Sequence, residues 1–312
     1  MEISAQIGHV YGPVWSRRLG RSLGLDVAPY KTCTFDCVYC QLGQTTVKTL
    51  GRAPYVQAWT VLNELSALHP RELKVDYITV SASGEPTLNS EVGELIAGCR
   101  RLAPQLSLAV LTNGSLLWQE EVRESVAGAD LLVPSLDAAR QETFERVNRP
   151  AEGLTVEKIV EGLKAARDEL DCAMWLEIML VAGCNDTEED LAALRDAVAY
   201  INPHKVHLNT VVRPPAEVWA QPLEPADLAA AAEAIGHGTE VIVTKPAATD
   251  PDGAAGDARV LELLRRRPCA VRDIADGLGM HPNEVTKSLR RLLARGEIKI
   301  VQHGGGAFYS AT

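Results

Sequence analysis

Six short apolar runs alternate with stretches of helical periodicity through most of the chain, and this alternation restricts the fold more than any other feature. The runs are approximately Leu23 to Val27, Tyr77 to Ser81, Leu106 to Leu111, Leu131 to Ser135, Met174 to Val181 and Lys205 to Asn209. Helical stretches lie near Val61 to Leu68, Glu91 to Leu102, Gln119 to Ser125, Val156 to Glu169 and Glu188 to Tyr200. Such a pattern predicts an α/β protein of repeated β-α units around a parallel sheet. Asn185-Asp186-Thr187 before Glu188-Glu189-Asp190 places capping oxygens and carboxylates at the positive end of one helix. A last helix near Pro225 to Ile235 and a strand Val241 to Val243 complete this part. In parallel β-α architectures the ligand site lies at the carboxyl ends of the strands, where loops converge.

Three cysteines fall within eight residues, Cys33-Thr34-Phe35-Asp36-Cys37-Val38-Tyr39-Cys40. On one loop they can hold three irons of a 4Fe-4S cluster and leave the fourth iron without a protein ligand. A structural zinc site or a buried thiol group is the alternative, but structural zinc is almost always closed by four ligands. Here the next cysteine is Cys99 and the next histidine His69. An open iron can be chelated by a small molecule carrying an amine and a carboxylate, such as the methionine end of S-adenosylmethionine.

The Cys-x-x-x-Cys-x-x-Cys loop, with aromatic Tyr39 before its last cysteine, resembles that of radical S-adenosylmethionine enzymes, and the likeness covers roughly the first two thirds of the chain. The resemblance implies a partial (β/α)6 TIM-like barrel and the metal ligands Cys33, Cys37 and Cys40. It also implies a reduced cluster that cleaves S-adenosylmethionine to a hydrogen-abstracting 5'-deoxyadenosyl radical, with a one-electron donor such as flavodoxin or ferredoxin. Ser83-Gly84-Glu85-Pro86-Thr87, after the second strand, resembles the family's Gly-Gly-Glu motif with Ser83 in place of the first glycine. Gly84 there lets the backbone approach a ligand, Glu85 offers an acceptor to an ammonium group, and Pro86 follows in the same turn; a plain strand-end turn is the alternative. Asn113 in Thr112-Asn113-Gly114, and Ser135 and Asp137 in Pro134-Ser135-Leu136-Asp137, put short polar side chains at the same rim. They are candidates for the cofactor's ribose and carboxylate oxygens, although each is also an ordinary turn signal. Glu177 inside an apolar strand faces either the interior or an exposed edge, and Asn209 is a further rim residue. Arg17, Arg18 and Arg21 near the cluster loop, and Asn148-Arg149-Pro150, offer guanidiniums for a carboxylate or an anionic substrate, or only surface charge.

Residues 1–246 are expected to form the barrel, 247–257 a small, polar linker, and 258–312 a second domain. In that domain helices at 258–267, Val271 to Leu278 and Pro282 to Leu293 precede strands Ile298 to Val301 and Ala307 to Tyr309, with Gly279 at a tight turn. The order resembles a winged helix-turn-helix, with Asn283, Lys287, Arg290 and Arg291 on its recognition helix. The whole chain carries a net charge of −10, yet residues 258 to 312 hold ten Lys or Arg against five Asp or Glu. That excess points to nucleic acid, and the fold equally serves to dock a polypeptide.

Seven cysteines, three of them clustered, do not suit an extracellular disulfide framework, and no apolar run approaches the length of a membrane span. A cytoplasmic protein without membrane association is expected. Cys99, Cys172, Cys184 and Cys269 read as small buried hydrophobes, Cys184 being the one candidate for an auxiliary cluster. The leading function is a radical S-adenosylmethionine enzyme, an oxidoreductase or transferase nearest the tRNA wybutosine synthesis enzymes. Those enzymes carry further cysteines near their start, and residues 1–32 here have none. A protein activase or peptide-modifying enzyme, and an iron-sulfur, DNA-binding transcription regulator, are the alternatives.

Overall fold

A computed structural model of the chain describes residues 8–16, 18–242, 257–280 and 282–312. Arg17 and the expected linker, save its last residue, lie outside the described residues. The main sheet has eight strands in the order β1-β2-β5-β6-β7-β8-β9-β10. These are β1 (Val10–Ser16), β2 (Gly20–Asp26), β5 (Tyr77–Ser81), β6 (Ser107–Thr112), β7 (Leu131–Pro134), β8 (Ala173–Leu180), β9 (Lys205–Thr210) and β10 (Glu240–Val241). From β2 onward every pairing is parallel, whereas β1 is antiparallel to β2. The six expected strands are therefore the contiguous middle of the sheet, with β1 and β10 on its edges. A small parallel pair, β3 (Thr32–Cys33) with β4 (Val47–Lys48), brackets the cysteine loop.

Strand order follows chain order, so each crossover of the usual right hand puts its helix on the same face. That outer layer comprises α1 (Ala58–Ala67), α2 (Val92–Leu102), α3 (Glu120–Val126), α4 (Gln141–Asn148), α5 (Val156–Glu169), α6 (Glu188–Ile201) and α7 (Pro225–Ile235). Alternation along the strands divides the core in two. Leu108, Val110 and Leu132 pack outward under the helices, while Ala109, Leu131 and Val133 turn inward with Leu19 and close the floor of the sheet's concave side. Above that floor the concave side is left open for a ligand. Thr187 caps α6 by accepting from the Asp190 amide, so the expected cap falls on the third residue of Asn185-Asp186-Thr187.

The C-terminal unit is built from α8 (Asp257–Arg266), α9 (Val271–Leu278), α10 (Pro282–Ala294) and the antiparallel hairpin β11 (Ile298–His303) and β12 (Gly306–Ala311). Gly279 ends α9 with a left-handed φ of 64°. Val260, Leu263, Ile274, Leu278, Val285, Leu289 and Leu292 share one core, and Val14 of β1 packs against it. The unit thus covers the sheet's antiparallel edge, whose unpaired backbone would otherwise face solvent. No helix among the described residues is long and apolar enough to cross a membrane.

Candidate functional site

A cavity of about 490 Å³ opens at the carboxyl ends of the strands, within the roughly 300–1,000 Å³ typical of small-molecule sites. Cys33, Cys37 and Cys40 all line it, none in a disulfide and each half-buried. The cysteine loop is held by backbone bonds to the end of α4: the Asp36 amide donates to the Asn148 carbonyl (2.9 Å) and the Val38 amide to that of Val147 (3.0 Å). Phe35 is buried edge-on against Phe144, with centroids 5.4 Å apart.

Each thiol has a nitrogen donor. Asn113 Nδ2 (3.5 Å) and the Phe35 amide (3.5 Å) point at Cys33 Sγ, Asn148 Nδ2 at Cys37 Sγ (3.4 Å) and Lys31 Nζ at Cys40 Sγ (3.4 Å). Burial pushes the Cys33 thiol up to about 12, with Glu85 adding to the effect. Burial likewise raises the Cys37 thiol, which lies in the field of Asp137 and of both other thiols. The polypeptide alone therefore favours neutral thiols. A cationic metal centre would reverse that preference, because the thiolate is the ligand form and metal binding releases its proton.

Among the described residues no three His, Cys, Asp or Glu side chains converge on a single-ion site. A zinc site would draw sulfurs to ~2.3 Å from one ion, whereas thiolates that each take a different iron of a cubane need not converge. The donor set, three thiols with N–H groups directed at them and a cavity beside them, fits a 4Fe-4S cluster.

Ser83, Gly84, Glu85, Pro86, Asn113, Ser135 and Tyr39 all line the same cavity. The structure explains Gly84 by a closer neighbour than a ligand: a Cβ there would stand 1.9 Å from the Thr32 carbonyl oxygen, so the turn packs directly on the cysteine strand. Glu85 is buried and accepts from Thr87 Oγ1 (2.6 Å), the Thr87 amide (3.0 Å), Thr112 Oγ1 (2.6 Å) and the Asn113 amide (2.7 Å). Burial raises its carboxyl while these donors pull it back. Its carboxylate ties the β5 turn to the end of β6.

Asp137 requires a correction. It does not line the cavity; it is buried behind the cysteine loop, accepting from Tyr39 OH (2.5 Å), Asn148 Nδ2 (2.6 Å) and the Met179 amide (2.9 Å). After β7 the chain stays alongside β8, the Leu136 amide donating to the Glu177 carbonyl (2.9 Å), and Asp137 holds Tyr39 and Asn148 there.

Glu177 faces the cavity, paired with Arg18 and accepting from Asn209 Nδ2 at 2.8 Å. Arg149 is spent on Glu217 at 2.5 Å. Cys99, Cys172, Cys184 and Cys269 are buried, and none lines the cavity. The residues that sequence reasoning missed are Lys31, Asn148 as a thiol donor, and Tyr11, Asp26, Leu263 and Arg266 in the cavity wall. Lys31 lies two residues before Cys33 and carried a local signal; Asn148 is 111 residues from Cys37 and carried none.

The profile of the Radical SAM superfamily matches residues 27–197. A protein called GTPase Obg from Brachyspira hyodysenteriae is 32% identical over 93% of this chain, which spans 43% of that protein's length. A UPF0026 protein from Helicobacter pylori J99 is 31% identical, the match covering 97% of each chain. A radical SAM methyltransferase from Sphaerobacter thermophilus has the same fold, with a TM-score of 0.53 at 15% identity over 70% of this chain and 66% of its own.

Proposed function

Because the chain belongs to the Radical SAM superfamily, we propose that Cys33, Cys37 and Cys40 hold a 4Fe-4S cluster and that the adjoining cavity binds S-adenosylmethionine. The observation that carries this is the set of three free thiols on one loop, each with its own nitrogen donor, opening on one cavity. When bound, the reduced cluster supplies the electron that cleaves S-adenosylmethionine and starts hydrogen abstraction from a substrate.

The chain's own residues hold and tune that centre. Hydrogen bonds to cluster sulfurs favour the more negative state, and Lys31 brings a positive charge to Cys40. Asp137 fixes Tyr39 and Asn148, and through them the loop. Asn113 and Ser135 present polar groups to the ribose and carboxylate, and Leu111, Val133 and Met179 supply an apolar wall. Flavodoxin or ferredoxin is the electron donor in this reading.

The C-terminal unit reads as a winged helix: three helices around one core followed by a two-stranded hairpin. Its charge excess supports an RNA substrate, as in the wybutosine synthesis enzymes, with a polypeptide as the second reading. The test is anaerobic cluster reconstitution, reduction in the presence of S-adenosylmethionine and measurement of 5'-deoxyadenosine. Product well above that of the Cys33→Ala/Cys37→Ala/Cys40→Ala variant is expected; product equal to that control overturns the proposal.

A further inference from the structure

We propose that Arg266, on the C-terminal unit, is a positioning residue for the Ser83-Gly84-Glu85 turn, which makes that unit a working part of the cofactor site. The proposal rests on the reading that the cavity takes S-adenosylmethionine. Arg266 sits in the last turn of α8, and its side chain is only 10% exposed. Its Nη1 donates to Asp26 Oδ2 at 2.8 Å and its Nη2 to the Gly8 carbonyl at 2.8 Å. The guanidinium lies 3.9 Å from the ring centre of Tyr11, an arrangement that favours the cation.

Asp26 ends β2 and is shared between the two units. Its Oδ1 accepts from the Ser83 amide at 2.8 Å, and its Oδ2 accepts from Ser83 Oγ at 2.6 Å. Two donors thus come from the turn and one from the tail. Tyr11, under the guanidinium, shares a hydrogen bond of 2.9 Å with Ser81 Oγ, two residues before Ser83. Arg266, Tyr11, Asp26, Ser81 and Ser83 all line the cavity, so the network is part of its wall.

The chemistry explains why a cation is needed there. Asp26 holds the turn through both carboxylate oxygens, and its side chain is 16% exposed. Glu85, three further thiolates in the loaded protein and the carboxylate of the incoming cofactor would all repel it. Arg266 supplies the compensating charge, with a planar fork that also bonds the backbone. Without it Asp26 swings toward water, which loosens its bonds to Ser83.

Two readouts test this separately. In cluster-free protein, amide hydrogen exchange across residues 82–86 is expected to quicken at least tenfold in Arg266→Gln, with Arg266→Lys between the two. Arg265→Gln, an exposed neighbour on α8, is expected to leave exchange unchanged. In anaerobically reconstituted protein, Arg266→Gln is expected to raise the dissociation constant for S-adenosylmethionine tenfold or more at unchanged iron content, and Asp26→Asn to add little when combined with it. Unchanged exchange at 82–86, or equal effects in Arg265→Gln, overturns the proposal. So does S-adenosylmethionine binding within twofold of wild type. Faster exchange in a protein whose wild type binds no S-adenosylmethionine overturns the cofactor reading instead and leaves the positioning role standing.

Discussion

Replacing Tyr39 with phenylalanine removes a single oxygen and tests what anchors the cysteine loop. Asp137 is 4% exposed, and its three donors are Tyr39 OH, Asn148 Nδ2 and the Met179 amide. A hydrogen bond to a charged group contributes ~1.5–3 kcal/mol, and its loss inside the protein is not made good by water. With an unfolding entropy of about 0.5 kcal/mol/K for a barrel of some 240 residues, the expected fall in Tm is roughly 3–6 °C. The pH dependence has a definite sign. Burial raises the Asp137 carboxyl, so the folded protein keeps this proton to higher pH than the unfolded chain does. The penalty is therefore fully present above the folded pKa and disappears as pH falls through it. Tyr39's hydroxyl offsets the penalty by bonding the ionised form. Thermal unfolding of cluster-free protein should show a larger loss near pH 8 than near the ordinary aspartate pKa of ~3.9. An unchanged Tm near pH 8, or the same loss at both ends, refutes the reasoning.

Gly84→Ala would set a Cβ 1.9 Å from the Thr32 carbonyl oxygen, backbone against backbone, so the turn or the cysteine strand must move. A loss of ~1–3 kcal/mol is expected from overpacking, seen as a lower Tm with less iron per chain after reconstitution; wild-type values for both refute the packing role. Asp257→Asn should release Arg291 and Arg295 from their shared carboxylate and strengthen binding to short duplex DNA or transfer RNA. The dependence of log affinity on log salt should steepen by about one to two contacts, and an unchanged slope would show that these arginines do not face nucleic acid.

The parallel strands were legible because each is a short apolar run, and β5 to β8 contribute to both the outer and the inner core. β1 was not. Val10-Tyr11-Gly12-Pro13-Val14-Trp15-Ser16 contains a Gly-Pro that reads as a turn, and the structure places an irregularity in the β1 register there. As an edge strand, β1 tolerates the proline that a central strand would not. α4 was missed because Gln141–Asn148 offers only Phe144 and Val147 as apolar anchors, too few to show a period. The cysteine triad was legible because its members share one loop. Its supports were not, because hydrogen bonds from Asn148 and Asn113 cross 111 and 80 residues of sequence. Asn113 and Asp137 look alike as strand-end turns, and only the path of the chain decides that one borders the cavity and the other is buried behind it.

The basic excess of the C-terminal unit is distributed differently from what its sequence suggests. Half of its ten cations are held by acids: Arg266 by Asp26, Arg272 by Asp276, Lys287 by Glu284, and Arg291 and Arg295 by Asp257. Arg291 and Arg295 hold the Asp257 carboxyl well below the usual range, so that acid stays charged at any working pH. Among the described residues, Arg259, Arg265, Arg290 and Lys299 make no side-chain hydrogen bond or ion pair and lie on α8, α10 and β11, while Arg267, just past the end of α8, bonds the Cys269 thiol. Of these, only Arg290 lies on α10. Arg267 lines the cavity, and Arg266 is committed to its wall. An anionic partner that reaches these cations from the cavity side would touch the cofactor chamber and the C-terminal unit together. The charge of that unit is therefore divided between the cavity wall, through Arg266 and Arg267, and the surfaces of α8, α10 and β11.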